Sequence, residues 1–150
     1  MTSDAGDIDD EALIAVFPGE VLTHDNAAHY RGRLRRQLLM NRCAECQHWH
    51  SPPKPVCPRC WSDELVPSPV RGTGTIYLLT WLYQGPPALG VTYPYPVVTV
   101  ELDEQAGLRF TSTVTGVEDG AKLIGSRVHL TWITPDKAPM PVFALSDEPR

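Results

Sequence analysis

The chain of 150 residues has four cysteines, Cys43, Cys46, Cys57 and Cys60, spaced C-x2-C, ten residues, C-x2-C. Each x2 turn lets two thiolates point at one ion while backbone amides face the sulfurs, and tetrahedral zinc takes four sulfurs at about 2.3 Å. Four thiolates close the shell, so the pattern predicts a structural metal and not a catalytic one. Redox C-x-x-C pairs usually come singly at a helix start, and disulfides need an oxidising compartment. Zinc is therefore the expected cofactor; iron shares the geometry and can replace it on heterologous expression. Pro58 restricts the second turn, and Arg42 and Arg59 are placed to offset the negative charge of four thiolates. His48 and His50 read as ordinary loop residues, because the shell is already complete. Trp49 and Trp61 follow the two turns closely and are expected to pack over the metal centre.

Proline is the second constraint. Fifteen of 150 residues are proline, about twice the usual share of roughly 5%. Proline is excluded from helix interiors and central strands, so a chain this rich in it, yet 42% hydrophobic, should be mainly strands and shaped loops. Five segments carry strand patterns: Gly72–Tyr83, Val97–Asp103, Leu108–Thr115, Arg127–Thr134 and Pro141–Leu145. The first is apolar on both faces, as a barrel strand packed on both sides would be. Between the first two lies a long Gly- and Pro-rich loop, Gln84–Pro96. Five short strands over about 75 residues fit a closed OB-type barrel, with a small open sandwich as the other arrangement. Ahead of the cysteines, Asp10–Phe17 suits a helical turn stopped by Pro18-Gly19. A helix is predicted at about 24–35, capped by Thr23 or Asp25, and then a short strand over Gln37–Arg42. Val66-Pro67-Ser68-Pro69 reads as a bridge. The predicted organisation is an acidic flexible N-terminus (1–22), a helix and lead-in strand (23–42), a zinc ribbon (43–66), an OB-fold (67–146) and a tail (147–150).

Charge narrows the function. Thirteen basic residues face 18 acidic ones, for a net charge of −5. Five of the acids (Asp4, Asp7, Asp9, Asp10 and Glu11) sit in the first eleven residues and suit a solvated tail. Arg31, Arg33, Arg35, Arg36 and Arg42 have no acid among them; a solvated helix face explains most of these. Beyond residue 43 basic residues are sparse, which disfavours a single-stranded nucleic-acid groove. The acidic start lacks a basic region and an apolar core, so no secretory signal is visible, and no run is long enough to span a membrane; a cytoplasmic location is expected. No nucleophile–base set, P-loop or dinucleotide fingerprint is present. Glu101 and Asp103, two apart on one strand, read as a solvent face. The residues therefore point to a binding or assembly module without chemistry of its own.

One resemblance sharpens this. L-x-M-N-R-C-x-x-C, SPPKPVCPRC, V-R-G-T-G-T-I-Y, YPVVTVELDE and K-L-I-G-S-R-V follow one another in order. The pattern resembles the rubredoxin-like zinc-ribbon plus OB-fold proteins associated with acyl-CoA metabolism, over about residues 23–145. It departs from that pattern at Arg36, where a turn glycine is frequent, and at Tyr30, where tryptophan is. The resemblance implies a non-catalytic small subunit of a thiolase-superfamily enzyme: a thiolase, an acyltransferase or a sterol side-chain aldolase. It would help shape the acyl-CoA site in a heterotetramer or larger complex. A hot-dog-fold enoyl-CoA hydratase is the alternative partner. On this chain, Tyr83, Leu89, Tyr93 and Tyr95 become expected partner anchors. Arg31, Arg33 and Lys54 become expected contacts for CoA phosphates.

Overall fold

The structure, a computed structural model, describes residues 6–87 and 91–146. The chain falls into two compact units: residues 1–70 with 134–140, and residues 71–133 with 141–150. No helix among the described residues is long and apolar enough to cross a membrane.

The first unit opens with helix α1 (Asp10–Val16). Asp9 caps it by accepting a hydrogen bond from the Ala12 amide at 2.8 Å, and Asp10 and Glu11 suit the positive end of its dipole. Leu13 and Phe17 are buried. Helix α2 (Ala27–Leu34) is shorter than expected. Thr23 and Asn26 bond each other's amides at its start, so Asn26 and not Asp25 completes the turn. At its end the Gln37 amide donates to the Gly32 carbonyl and the Arg36 amide to Arg33, a Schellman motif. Arg36 occupies the left-handed position, with φ of 55°. A side chain there costs about 1 kcal/mol that glycine avoids. Arg36→Gly is therefore expected to stabilise the chain by about 1 kcal/mol in a denaturant melt; a loss of stability would show that the arginine side chain is needed there.

Strands β1 (Leu39–Cys43), β2 (Trp49–His50) and β3 (Leu65–Pro69) form an antiparallel sheet in the order β2-β1-β3. The expected bridge over Val66–Pro69 is thus a strand. Its register explains why proline is tolerated. Pro67 lies opposite Asn41 and Pro69 opposite Leu39. The amides of Ala44 and Val70 mark the alternate pairs as the hydrogen-bonded ones, bonding to Glu64 and Leu38 respectively. The two missing N–H groups therefore fall at positions that face away from β1.

The second unit is a barrel. Strands β4 (Thr73–Leu82), β5 (Tyr95–Leu102), β6 (Arg109–Ser112), β7 (Val114–Thr115), β8 (Arg127–Ile133) and β9 (Met140–Leu145) run in the order β6-β5-β4-β8-β9-β7. The two end strands are one segment broken at Thr113. β6 pairs antiparallel with β5, and β7 pairs parallel with β9. Thr113 joins the two sides: its hydroxyl donates to the Pro96 carbonyl at 2.6 Å, and its own carbonyl accepts the Phe143 amide at 3.0 Å. The five expected strands are therefore present, with the third one split to close the barrel. Ile76, Val98, Val100, Leu102, Leu108, Val114, Val128, Val142 and Phe143 form its core.

Strand β4 is not packed on both sides, as its composition suggested. A bulge at Tyr77 shifts the register, so Ile76 faces Val100 and Leu78 faces Thr99. One extra residue swaps the two faces of a strand. Gly74 and Ile76 point inward before it, and Leu79 and Trp81 are the more buried after it, leaving Leu78 and Leu82 exposed. The two glycines at the start of β4 have different reasons. Gly72 has φ of 82°, and a Cβ on Gly74 would lie 2.4 Å from the Glu101 carbonyl oxygen.

Arg127 on β8 holds Asp103 in a two-pronged ion pair, at 2.7 and 2.5 Å, and also donates to the Thr75 hydroxyl at 3.1 Å. The arginine holds the Asp103 carboxyl at about 2, well below its usual range. A depressed carboxylate contributes stability that is present above its unfolded value of about 4 and lost as pH falls toward 2. Asp103→Asn is expected to cost about 1 kcal/mol at pH 7, discounted for solvent screening, and progressively less below pH 4. A variant penalty that stays constant from pH 7 to pH 2.5 in urea melts would refute the ion pair's part in stability.

Candidate metal centre

The four sulfurs converge. All lie within 4.8 Å of one another, with Cys43 and Cys60 at 3.5 Å and Cys46 and Cys57 at 3.7 Å. Bonds of about 2.3 Å in a tetrahedron require sulfur separations of about 3.8 Å, whereas a disulfide needs about 2.05 Å. The donor set fits a tetrahedral ion and not a pair of cystines.

Local backbone geometry explains the convergence. The Cys43 amide donates to the His48 carbonyl and the Gln47 amide to the Cys43 carbonyl, closing the first turn. The second repeats the plan: the Cys57 amide donates to Ser62, and the Trp61 amide to Cys57. Gln47 and Trp61 occupy equivalent left-handed positions, at φ of 65° and 68°. The Arg59 amide donates to the Cys57 sulfur at 3.4 Å, as the x2 spacing requires. The Cys46 amide lowers the Cys43 thiol. Burial pushes Cys57 up, but the Cys60 and Arg59 amides outweigh it and bring the thiol to about 7. The Ser62 amide draws Cys60 down, but crowding by the other three thiols helps push it up to about 12. Thiols this close cannot all ionise without a cation among them.

Two expectations about the surroundings change. Trp61 does not cover the centre; it is 81% exposed. Trp49 is half-buried, with the Arg42 guanidinium 5.0 Å from its ring centre. His50 is no loop residue either. It lies buried in β2, with Nε2 3.3 Å from Asn41 Nδ2 across the sheet. Burial lowers its pKa, and His29 on α2 is lowered by its own burial and by His50.

The expected contact residues are scattered. Arg31 donates to the Ile8 carbonyl at 2.9 Å and to Asp10 at 2.7 Å, tying the beginning of α1 to α2. Arg33 stacks on Phe17 and Tyr30 and donates to the Pro139 carbonyl at 3.2 Å. Lys54 is exposed. In the barrel unit, Tyr83 is 71% exposed. Tyr93 is half-buried and donates to the Pro86 carbonyl at 3.2 Å. Tyr95 opens β5 opposite Leu82, so that strand starts inside the segment expected to be loop. Leu89 lies outside the described residues. Sequence reasoning missed the exposed Tyr77, Leu78 and Leu82 of β4; the Arg109 guanidinium lies 3.8 Å from the Tyr77 ring centre. Their signal was the apolar character of both faces of β4.

A four-sulfur ribbon followed by a five-stranded OB-type barrel defines a zinc-ribbon plus OB-fold protein. Family models agree with both parts: the rubredoxin-like zinc ribbon domain of ChsH2 matches residues 31–66, and the C-terminal OB-fold domain of ChsH2 matches residues 68–133. The chain is also similar to a solved chain described as "Ltp2-ChsH2(DUF35) aldolase", at 32% identity and a TM-score of 0.76, covering 84% of this chain and 98% of that one. The chain belongs to the ChsH2 family of zinc-ribbon plus OB-fold proteins. A DUF35 protein of unknown function from Sulfolobus solfataricus shares the fold, with a TM-score of 0.58 at 11% identity over 91% of this chain and 96% of that one. A curated relative, the probable enoyl-CoA hydratase alpha subunit of Thermomonospora curvata, is 33% identical over 130 residues. The match takes in 86% of this chain but spans only 40% of the relative's length.

Proposed function

We propose that this chain is an accessory subunit of a thiolase-superfamily enzyme acting on acyl-CoA, and that its four cysteines hold one structural zinc ion. The likeness to the ChsH2(DUF35) aldolase chain carries the reading, because it extends over 98% of that chain. The closed four-thiolate donor set supports a metal that stabilises the ribbon and does not take part in turnover. The partner meets the half of β4 that follows the bulge and the segment after it, where Tyr77, Leu78, Leu82 and Tyr83 present apolar and aromatic surface. Such side chains dominate interface energy once buried. Tyr93 and Tyr95 frame the same segment, and Leu89 belongs to it by sequence. Of the three cations assigned to CoA phosphates, Lys54 is the exposed one. Arg31 and Arg33 would meet a phosphate only by giving up their contacts with Asp10 and Pro139.

A hydratase partner is the second reading, favoured by the name of the Thermomonospora curvata relative. Co-expression with a thiolase-like protein and, separately, with a hot-dog-fold hydratase distinguishes the two. The expected result is co-elution with the thiolase-like protein. Tyr83→Ser should then weaken the complex roughly tenfold or more, in line with loss of an aromatic anchor. Co-elution with the hydratase alone would transfer the role to the second reading, and co-elution with neither would defeat both.

A further inference from the structure

The four cysteines of the metal centre are not equally buried. Cys43 and Cys57, the first cysteine of each turn, are fully buried. Cys46 is half-buried, and Cys60 is exposed. The asymmetry has a structural cause. The first turn is built into the sheet: Cys43 ends β1, pairs with Leu65 of β3, and bonds to His48 just before β2. The second turn hangs outside any strand, and Pro58, Arg59, Cys60 and Trp61 are all exposed along it. Trp61, the next residue, has a left-handed backbone and is turned to solvent, so it does not roof Cys60.

We propose that Cys60 is the modification site of the centre, the sulfur at which soft electrophiles attack and the ligand whose loss releases the ion. This rests on the zinc reading above. A metal-bound thiolate remains nucleophilic, and its rate of attack depends on access. With an activated alkene, the Cys60 sulfur forms the new carbon–sulfur bond, and the alkene electron pair takes a proton from water. The thioether so formed carries no charge and loses its hold on the ion, which passes to solvent or to a chelator. No oxidant is needed. Cys43 and Cys57 react only after the ribbon has opened.

The test uses the full zinc-loaded chain. Zinc content is measured first by elemental analysis. One equivalent of N-ethylmaleimide is then added with a chromogenic zinc chelator present, and adducts are located by peptide mass spectrometry. The expected result is an adduct at Cys60 formed roughly tenfold faster than at Cys43 or Cys57, as access dictates, with zinc appearing at the rate of that adduct. Equal labelling of the four, first labelling at Cys43, Cys46 or Cys57, or a Cys60 adduct that keeps its zinc would overturn the inference while leaving the zinc reading intact. A chain that carries no metal and takes up none on dialysis would overturn the zinc reading, and the inference with it.

Discussion

Cys57→Ser is expected to strip the chain of its ion and to unfold the ribbon. Structural zinc in small ribbons binds with about 10–16 kcal/mol near neutral pH. A whole domain is stable by only about 5–15 kcal/mol. Losing the ion therefore removes free energy comparable with the whole stability of a domain. Among the described residues, the buried apolar residues of the first unit are Leu13, Phe17, Leu38, Met40, Cys43, Cys57 and Val70, and two of these seven belong to the proposed four-sulfur site. Metal content should fall from one ion per chain to none, and the β1 and β3 amides should lose protection from hydrogen exchange. Chelation of the unaltered chain should reproduce the exchange result. A Cys57→Ser chain that keeps its zinc and its protected amides would show that the ribbon stands without this ligand.

Phe143→Ala should damage the second unit as severely as any single truncation there. The ring is fully buried and meets Phe110 edge-on, with centroids 6.3 Å apart. Its backbone sits at the barrel's closure, with its amide bonded to Thr113 and the residue itself opposite Val114. Removing a buried phenyl group costs about 3–5 kcal/mol through lost transfer energy and the cavity left behind. A urea melt should show that loss as a lower midpoint with little change in slope. A change of less than about 1 kcal/mol would mean that the site collapses around the smaller side chain and that the closure does not depend on it.

Much of this molecule was legible in advance because its signals are local. The x2 spacing brings two sulfurs together within one turn, so the quartet could be read from Cys43 to Cys60 without knowing any long-range contact. Alternation along Val97–Asp103 and Arg127–Thr134 likewise puts Val98, Val100 and Leu102 on one face and Val128, Leu130 and Trp132 on another, since side-chain direction follows a period of two; the barrel buries the first three and Val128, and leaves Leu130 and Trp132 half-buried. The acyl-CoA context came from family resemblance and not from any residue pattern of its own.

Other features were hidden because pairing across the chain decides them. Val66–Pro69 lacks a strand composition and becomes one because β1 offers the right register, with each proline at a position that needs no N–H. The double apolar face of β4 looked like burial on both sides. It is instead the trace of a bulge at Tyr77, and the half that turns outward is the surface assigned to the partner. Arg31 and Arg33 looked available for phosphates by composition; their neighbours Asp10, Phe17, Tyr30 and Pro139 come from distant parts of the chain. Covalent spacing determined that the sulfurs would pair within each turn, and which way most strand residues would point. Tertiary structure decided which apolar residues stay exposed and which cations are already engaged, because those outcomes depend on the free energy of contacts between segments far apart in sequence.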